Sequence, residues 1–406
     1  MGRIVLAWEL GAGLGHAMPL SRLAQALLDR GHDVHLVWKD LASCSSLFGN
    51  QLESGRLHLW QAPLWLYSLQ GLPEAANYSE LLLQAGYLDE GAMIAIARAW
   101  LALMAAIEPD LLVCDHAPTA LLASRGLPFS KAMFGNGFGI PPACSPMVAL
   151  QEWEPAPESR LASADARALL TCNQVLAALR QPPFTALHEL LAVDEKFLLG
   201  WPELDHYRPY RTAKPLRSWG WPEPRPLGEE PVWPSASGPR ILAYLPREHP
   251  AFDAVVACLS SGPWATSLLV PGAADDEVRS CINSRLHITN RPIHITRGLE
   301  MADLLLSHSG SGSLYHALSA GLPAVLLPTH FEQMLLARRV ASAGAGVFLW
   351  PHEVQHSLTK AINAVTGSPG FAASARALAA RNDASVHGDV PARMASRCEQ
   401  LSAPAR

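Results

Sequence analysis

Eight prolines fall between His206 and Pro239 (Pro209, Pro215, Pro222, Pro224, Pro226, Pro231, Pro234 and Pro239), so neither a helix nor an interior strand is predicted there. A linker over 206–239 cuts the 406 residues into two parts, each near the size that a single hydrophobic core organises. On both sides short apolar runs alternate with longer helical patterns. Ahead of the linker the strand candidates are Ile4 to Trp8, Asp33 to Trp38, Leu57 to Gln61, Leu111 to Asp115 and Phe129 to Phe134. Leu20, Leu23, Ala24, Leu27 and Leu28 recur at helical spacing and stop before Gly31, which gives one βαβ unit; Ala117 to Ser124 supplies a further helix. Beyond the linker the candidates are Ile241 to Leu245, Ser267 to Val270, Ile293 to Thr296, Asp303 to Ser307, Ala324 to Leu327 and Val347 to Leu349. This alternation specifies an α/β chain with two parallel, doubly wound sheets.

Composition removes several function classes. Apolar residues make up 49% and charged residues 17%, which suits a packed, loop-rich protein and not a disordered one. A net charge of -5 without any Lys/Arg-rich run offers nothing to track a phosphate backbone, so nucleic acid is not an expected partner. Seven scattered cysteines, Cys44, Cys114, Cys144, Cys172, Cys258, Cys281 and Cys398, form neither a disulfide framework nor a Cys-x-x-Cys metal site. With a strand-like start at Ile4 in place of a signal sequence, a cytoplasmic location is expected. The longest apolar run, Ala92 to Ile107, carries Arg98 and reads as a buried helix, so no transmembrane segment is expected.

Four stations carry chemistry. The first βα turn runs from Glu9 through Gly11, Gly13, Gly15 and His16 to Pro19, ahead of a helix. Its glycines permit a sharp bend and leave space at a helix N-terminus. His16, beyond the carboxyl end of the first strand, is either a base for a bound hydroxyl or a helix-capping or loop histidine. Asp115 ends its own strand and either orients His16 as a dyad partner or caps the helix that starts near Pro118. The run His308, Ser309, Gly310, Ser311, Gly312 and Ser313 opens a helix with small, hydroxyl-bearing residues, a cradle for a diphosphate without the lysine of a nucleotide-hydrolysing loop. Glu332 and Gln333, again at a strand's carboxyl edge, have the donors and acceptors to bind several sugar hydroxyls, although helix starts commonly hold such residues.

In this order the stations resemble the family 1 glycosyltransferases. The likeness covers most of the chain and is closest in two blocks: Gly15-His16-Ala17-Met18-Pro19-Leu20 with Arg30-Gly31-His32-Asp33-Val34, and Ala302 through Gly346. Pro202-Glu203-Leu204-Asp205 resembles the end of the family's first domain. The resemblance implies a GT-B fold, two Rossmann-like doubly wound domains facing across a cleft. It divides the chain into an acceptor-binding domain over 1–205, the linker, a nucleotide-sugar-binding domain over 240–370, and a helical segment over 371–406 returning to the first domain. It further implies an inverting, metal-independent enzyme without cofactor, in which His16 is the general base and Asp115 its partner. The segment His308 to Ser313 would hold the diphosphate, and Glu332 with Gln333 the donor sugar.

Three departures bear on specificity. The family's uracil-stacking tryptophan is missing ahead of Gly298, which leaves base recognition to backbone near Ile295, Thr296, Arg297 and Gly298 and keeps UDP-sugar and dTDP-sugar donors both open. Leu245-Pro246-Arg247 replaces a Gly-Ser; Arg247 is either a diphosphate ligand or a solvated loop residue. Met334 stands where many relatives carry Asn after the Glu-Gln pair. Gly15, Trp65, Phe134 and Phe138 are candidate contacts for a small apolar or aromatic acceptor, with core packing the alternative for the aromatic residues. Three competing functions stay in view: a nucleotide-sugar epimerase, a transferase acting at a membrane surface on a lipid-linked acceptor, and a non-catalytic nucleotide-sugar-binding partner protein.

Overall fold

The computed structural model describes every residue except 1, 12, 68, 70, 212–214, 226, 281, 384–387 and 404–406, so Ala12 of the first turn and Cys281 lie outside the described residues. The chain forms two compact units, Met1–Pro222 with Asp389–Arg406, and Glu223–Gly388. In the first, strands β1 (Arg3–Trp8), β2 (Asp33–Trp38), β3 (Leu57–Gln61), β4 (Leu111–Asp115), β5 (Ser130–Gly135), β6 (Glu195–Leu199) and β7 (Ser218–Gly220) make one parallel sheet in the order β3-β2-β1-β4-β5-β6-β7. Between them run α1 (Leu14–Asp29), α2 (Cys44–Phe48), α3 (Tyr78–Leu82), α4 (Glu90–Ile107), α5 (Pro118–Ser124) and α6 (Glu158–Ala178). Both faces of the sheet are covered, so alternate residues of one strand serve two cores: Ile4, Leu6 and Trp8 pack with α1, while Val5 and Ala7 pack with α4 and α6.

The second unit has β8 (Arg240–Tyr244), β9 (Ala265–Leu269), β10 (Leu286–Thr289), β11 (Leu304–Ser307), β12 (Ala324–Leu326) and β13 (Gly346–Phe348) in the parallel order β10-β9-β8-β11-β12-β13. Its helices are α7 (Phe252–Ser261), α8 (Asp275–Ser280), α9 (Ile295–Met301), α10 (Ser311–Ser319), α11 (Phe331–Ser342), α12 (Val354–Gly367) and α13 (Pro369–Arg381). The last helix, α14 (Val390–Ser402), belongs to the first unit.

Several expectations change. The 206–239 stretch is not structureless: β7 lies within it, flanked by Pro215 and Pro222, and the units divide at Pro222. An edge strand leaves the backbone N–H groups of one side unpaired, so prolines at its ends cost little. Of the 371–406 segment, α13 packs on α10 in the second unit, and only α14 returns to the first. Ile293 to Thr296 is not a strand. Ile293 makes a single bridge to Glu229, His294 caps α9, and the place beside β9 is taken by β10. Helix α4 is buried along one stripe only (Met93, Ala97, Trp100, Met104 and Ile107), whereas Ala95, Ala99 and Ala102 face outward. It is long and apolar enough to cross a membrane by length and composition, yet that stripe packs it against α5 and α6.

The Arg30-Gly31-His32 turn holds α14 in place. Arg30 bonds Glu399 at 2.8 Å and the Ala392 carbonyl at 3.0 Å, and the His32 ring links Glu399 at 3.2 Å to the Gly2 N–H. Beneath these contacts Met394 is 1% exposed among Leu20, Leu23 and Leu27. Met394→Ala is expected to destabilise the first unit by about 2 kcal/mol, read by urea unfolding; an unchanged midpoint would mean that α14 contributes nothing to this core.

Candidate active site

Strands β1 and β4 are parallel neighbours with Trp8 opposite Asp115, so the turn after β1 and the end of β4 stand side by side at the sheet's carboxyl edge. Gly13 (φ 76°) precedes α1, and His16 lies in that helix's first turn. Its Nδ1 is 3.0 Å from Asp115 Oδ1, and the two side chains are 16% and 5% exposed. An ionised carboxylate only accepts, so Nδ1 carries the hydrogen and Nε2 is the basic nitrogen. The Trp8 ring stacks on the imidazole at 5.6 Å and holds its plane.

Two glycines make this geometry possible. At Gly11 (φ 82°) a Cβ would lie 2.2 Å from His16 Nε2, and at Gly135 (φ 133°) one would lie 3.1 Å from Asp115 Oδ1. Lys39 Nζ donates to the Gly11 carbonyl at 2.7 Å and steadies the turn. Neither residue of the pair is the N-cap of its helix. His16 is inside the helix, and α5, whose N-cap is Ala117, takes its N-terminal acceptor from Glu9.

The neighbouring wall is aromatic. His116 (φ 45°) places its ring 6.3 Å from His16, 5.8 Å from Tyr78 and 6.2 Å from Phe138. Of the acceptor candidates, Gly15 is exposed in the first turn of α1, and Phe138 sits edge-on to His116. Trp65, half-buried, packs over Gly86 and 5.1 Å from Tyr67. Phe134 is withdrawn: β5's alternation turns it into the core beneath α1, 2% exposed. Leu66 and Tyr67, next to Trp65 and also acceptor candidates in the sequence, follow β3 and are 83% and 74% exposed.

Glu9, which opens the first turn and was given no role in the sequence, is 4% exposed, and burial pushes its carboxyl up to about 7 from the ordinary 4.5, against hydrogen bonds from Thr119 and Ala120 that pull it down. Because the folded value is the higher one, the stability this group confers is complete below about pH 4.5 and is lost as pH rises through 7. Glu9→Gln is expected to lose that component of the pH dependence between pH 5 and 8. Melting curves of the two proteins that stay parallel across this range would contradict it.

In the second unit β11 ends at Ser307 and α10 begins at Ser311, with Ser309 in the left-handed region (φ 65°) between them. Ser309, 1% exposed, donates through Oγ to the Gln333 carbonyl at 2.9 Å, which ties the loop to α11. Gly310, Ser311, Gly312 and Ser313 form the N-cap and first turn of α10, whose backbone N–H groups and dipole attract an anion. His308 packs on Tyr244 at 5.1 Å, and burial lowers its pKa to about 4, so it meets a ligand as a neutral imidazole. Its buried Nδ1 has no hydrogen-bond partner among the described residues.

The other donor-side candidates are distributed differently. Glu332 stands in the first turn of α11. Gln333 instead turns inward, its side-chain oxygen accepting from Thr329 N at 2.9 Å and Thr329 Oγ1 at 3.1 Å. Arg247 lies over the Phe252 ring and 3.7 Å from Asp253. Ile295, Thr296, Arg297 and Gly298 form the start of α9, not an extended strand. His249, missed in the sequence, fixes the loop after β8: its Nε2 donates to the Leu327 carbonyl at 2.9 Å and its Nδ1 accepts from Ala251 N. Among the described residues no group of His, Cys, Asp and Glu could hold a metal ion.

Residues 284–401 match the family model of the erythromycin biosynthesis protein CIII-like C-terminal domain. A segment of 69 residues is 46% identical to the NDP-glycosyltransferase YjiC of Bacillus subtilis, covering 17% of this chain and 18% of that protein. The match thus spans less than a fifth of the curated relative's length. The glycotransferase of kitacinnamycin superposes over 98% of this chain and 99% of its own with a TM-score of 0.68 at 18% identity. The chain has the GT-B fold. The spinosyn rhamnosyltransferase SpnG complexed with thymidine diphosphate has the same GT-B fold, with a TM-score of 0.63 at 19% identity over 98% of this chain and all of that one.

Proposed function

We propose that this GT-B chain is an inverting glycosyltransferase, moving a sugar from a nucleoside diphosphate onto a hydroxyl of a small, apolar or aromatic secondary metabolite. The observation that carries this reading is the 3.0 Å contact between His16 and Asp115 at the carboxyl edge of the first sheet. His16 Nε2 takes the acceptor's proton and Asp115 stabilises the imidazolium so formed. The acceptor oxygen attacks the anomeric carbon from the face opposite the leaving group, the C1–O bond to the diphosphate breaks, and the configuration inverts. Backbone N–H groups at the start of α10, with Ser311 and Ser313, meet the charge of the departing diphosphate, a role that needs no metal. Glu332 binds sugar hydroxyls. A preformed dyad disfavours the reading as a purely binding partner protein, which has no use for a base.

The donor nucleotide is proposed to be dTDP or UDP, the former in keeping with the thymidine diphosphate bound by the spinosyn enzyme. Calorimetric titration with dTDP, UDP and GDP in a metal chelator tests the donor site, and mass-spectrometric screening of apolar alcohols and phenols with the matching nucleotide sugars tests transfer. Nucleotide binding followed by a glycosylated product and free diphosphate is expected. Failure of all three nucleotides to bind would remove the donor site, and with it the transferase reading.

A further inference from the structure

Glu9 is a buried carboxylate that the proposed chemistry leaves without a task. It leaves the end of β1 and accepts a hydrogen bond from Thr119 N at 2.9 Å, at the start of α5, where the Thr119 hydroxyl and Ala120 N also lie near enough to favour its ionised form. The Thr119 hydroxyl is bonded in turn to Tyr87 OH at 3.0 Å. A second tie runs parallel, from Leu10 N to the His116 carbonyl at 2.9 Å. These bonds join two short segments: the turn that leads from Glu9 to His16, and the corner Asp115-His116-Ala117 that leads into α5. His116 takes a left-handed conformation in that corner, which a non-glycine residue adopts only when its surroundings hold it there.

We propose that Glu9 is a positioning residue for the dyad: its carboxylate fastens the start of α5 to the end of β1 and so sets the separation of His16 and Asp115. A buried acceptor facing three donors is costly to remove, because the N–H groups at the helix start then lose their partner. Without the tie, the Asp115 corner loses one of the two backbone-side bonds that join it to the turn after β1, the Leu10 bond being the other. The groups that face Glu9 are Thr119 of α5, Tyr78 of α3, Tyr87, Cys114 of β4 and Lys39 beyond β2. Lys39 is the one cation among them, and its ammonium is engaged by Gly11. The carboxyl's value near 7 means that the tie itself changes protonation in the neutral range.

The test uses the full-length protein with 13C-labelled histidine, following the His16 ring resonance against pH, with its assignment taken from His16→Gln. In the wild type the resonance is expected to move in two steps, its own titration and a smaller one near pH 7 as Glu9 titrates. Glu9→Gln keeps an oxygen for the Thr119 N–H; it should retain the His16 midpoint and lose the smaller step. Glu9→Ala should lower the midpoint by about one pH unit, a tenfold loss of proton affinity, as Asp115 moves away. The proposal is overturned if wild type and Glu9→Gln give the same curve, or if Glu9→Gln moves the midpoint as far as Glu9→Ala does. Should Glu9→Ala fail to fold, the comparison of wild type with Glu9→Gln decides alone. No donor or acceptor enters the measurement, so its outcome is independent of the transferase reading.

Discussion

Alanine in place of His16 is expected to slow glycosyl transfer about a hundred- to ten-thousand-fold, the range that a positioned general base contributes. The loss should appear in the chemical step. His16 belongs to the first unit, whereas the nucleotide candidates belong to the second, so calorimetric affinity for the diphosphate should stay within about twofold of the wild type. Single-turnover transfer with saturating donor separates the two quantities. The ring is held by Asp115 on one side and Trp8 on its face, and a methyl group takes up neither contact. Turnover that survives in His16→Ala with normal donor binding would refute the assignment of the base, and the search would pass to His116, whose ring stands 6.3 Å away.

Gly11→Ala is the second large effect. At φ 82° an L-residue pays roughly 1 kcal/mol or more in backbone strain, and here the added Cβ would also fall 2.2 Å from His16 Nε2. The ring has to swing off Asp115, so a loss of activity of about a hundredfold or more is expected, approaching that of His16→Ala. Gly13→Ala is the matched control: Gly13 has nearly the same backbone angle, φ 76°, but nothing lies within 4 Å of its Cβ position. Both variants should lose a similar amount of melting temperature, and only Gly11→Ala should lose the dyad. Equal losses of activity in the two would show that the turn's flexibility, not the space beside the imidazole, is what the glycine supplies.

The strands of the first unit up to β5 could be read from the sequence because each is a short apolar run bounded by turn residues, and the burial of β1, β2 and β4 on both sides matches that reading. Strand β6 starts with Glu195 and Lys196 and offers only three apolar residues, too few to stand out. Strand β7 is three residues long and sits among prolines, where a local rule argues against any strand; only its place at the sheet edge permits it. In the second unit the apolar, β-branched stretch at Ile293 to Thr296 outscored Leu286–Thr289, yet pairing with β9 selected the latter.

Within the site, His16 and Asp115 were legible because each lies at the carboxyl end of a strand, and parallel strands bring such ends together. Glu9 was not. Its task depends on how far α5 stands from β1, a distance no local pattern contains. Gln333 and Phe134 failed for a related reason: the side of a helix or strand that faces the core is decided by neighbours far away in sequence.

Because α14 belongs to the first unit, the second unit is an insertion with two covalent junctions, one after Pro222 and one before Asp389. This governs how second units can be exchanged between proteins of this fold by recombination. A hybrid spliced at a single crossover near 222 carries a foreign α14, which must then satisfy Arg30, His32 and the pocket of Leu20, Leu23 and Leu27 that it did not coevolve with. A hybrid spliced at both junctions keeps its own closing helix. Parents that have diverged at Glu399 or Met394 should therefore yield folded offspring only from the double crossover.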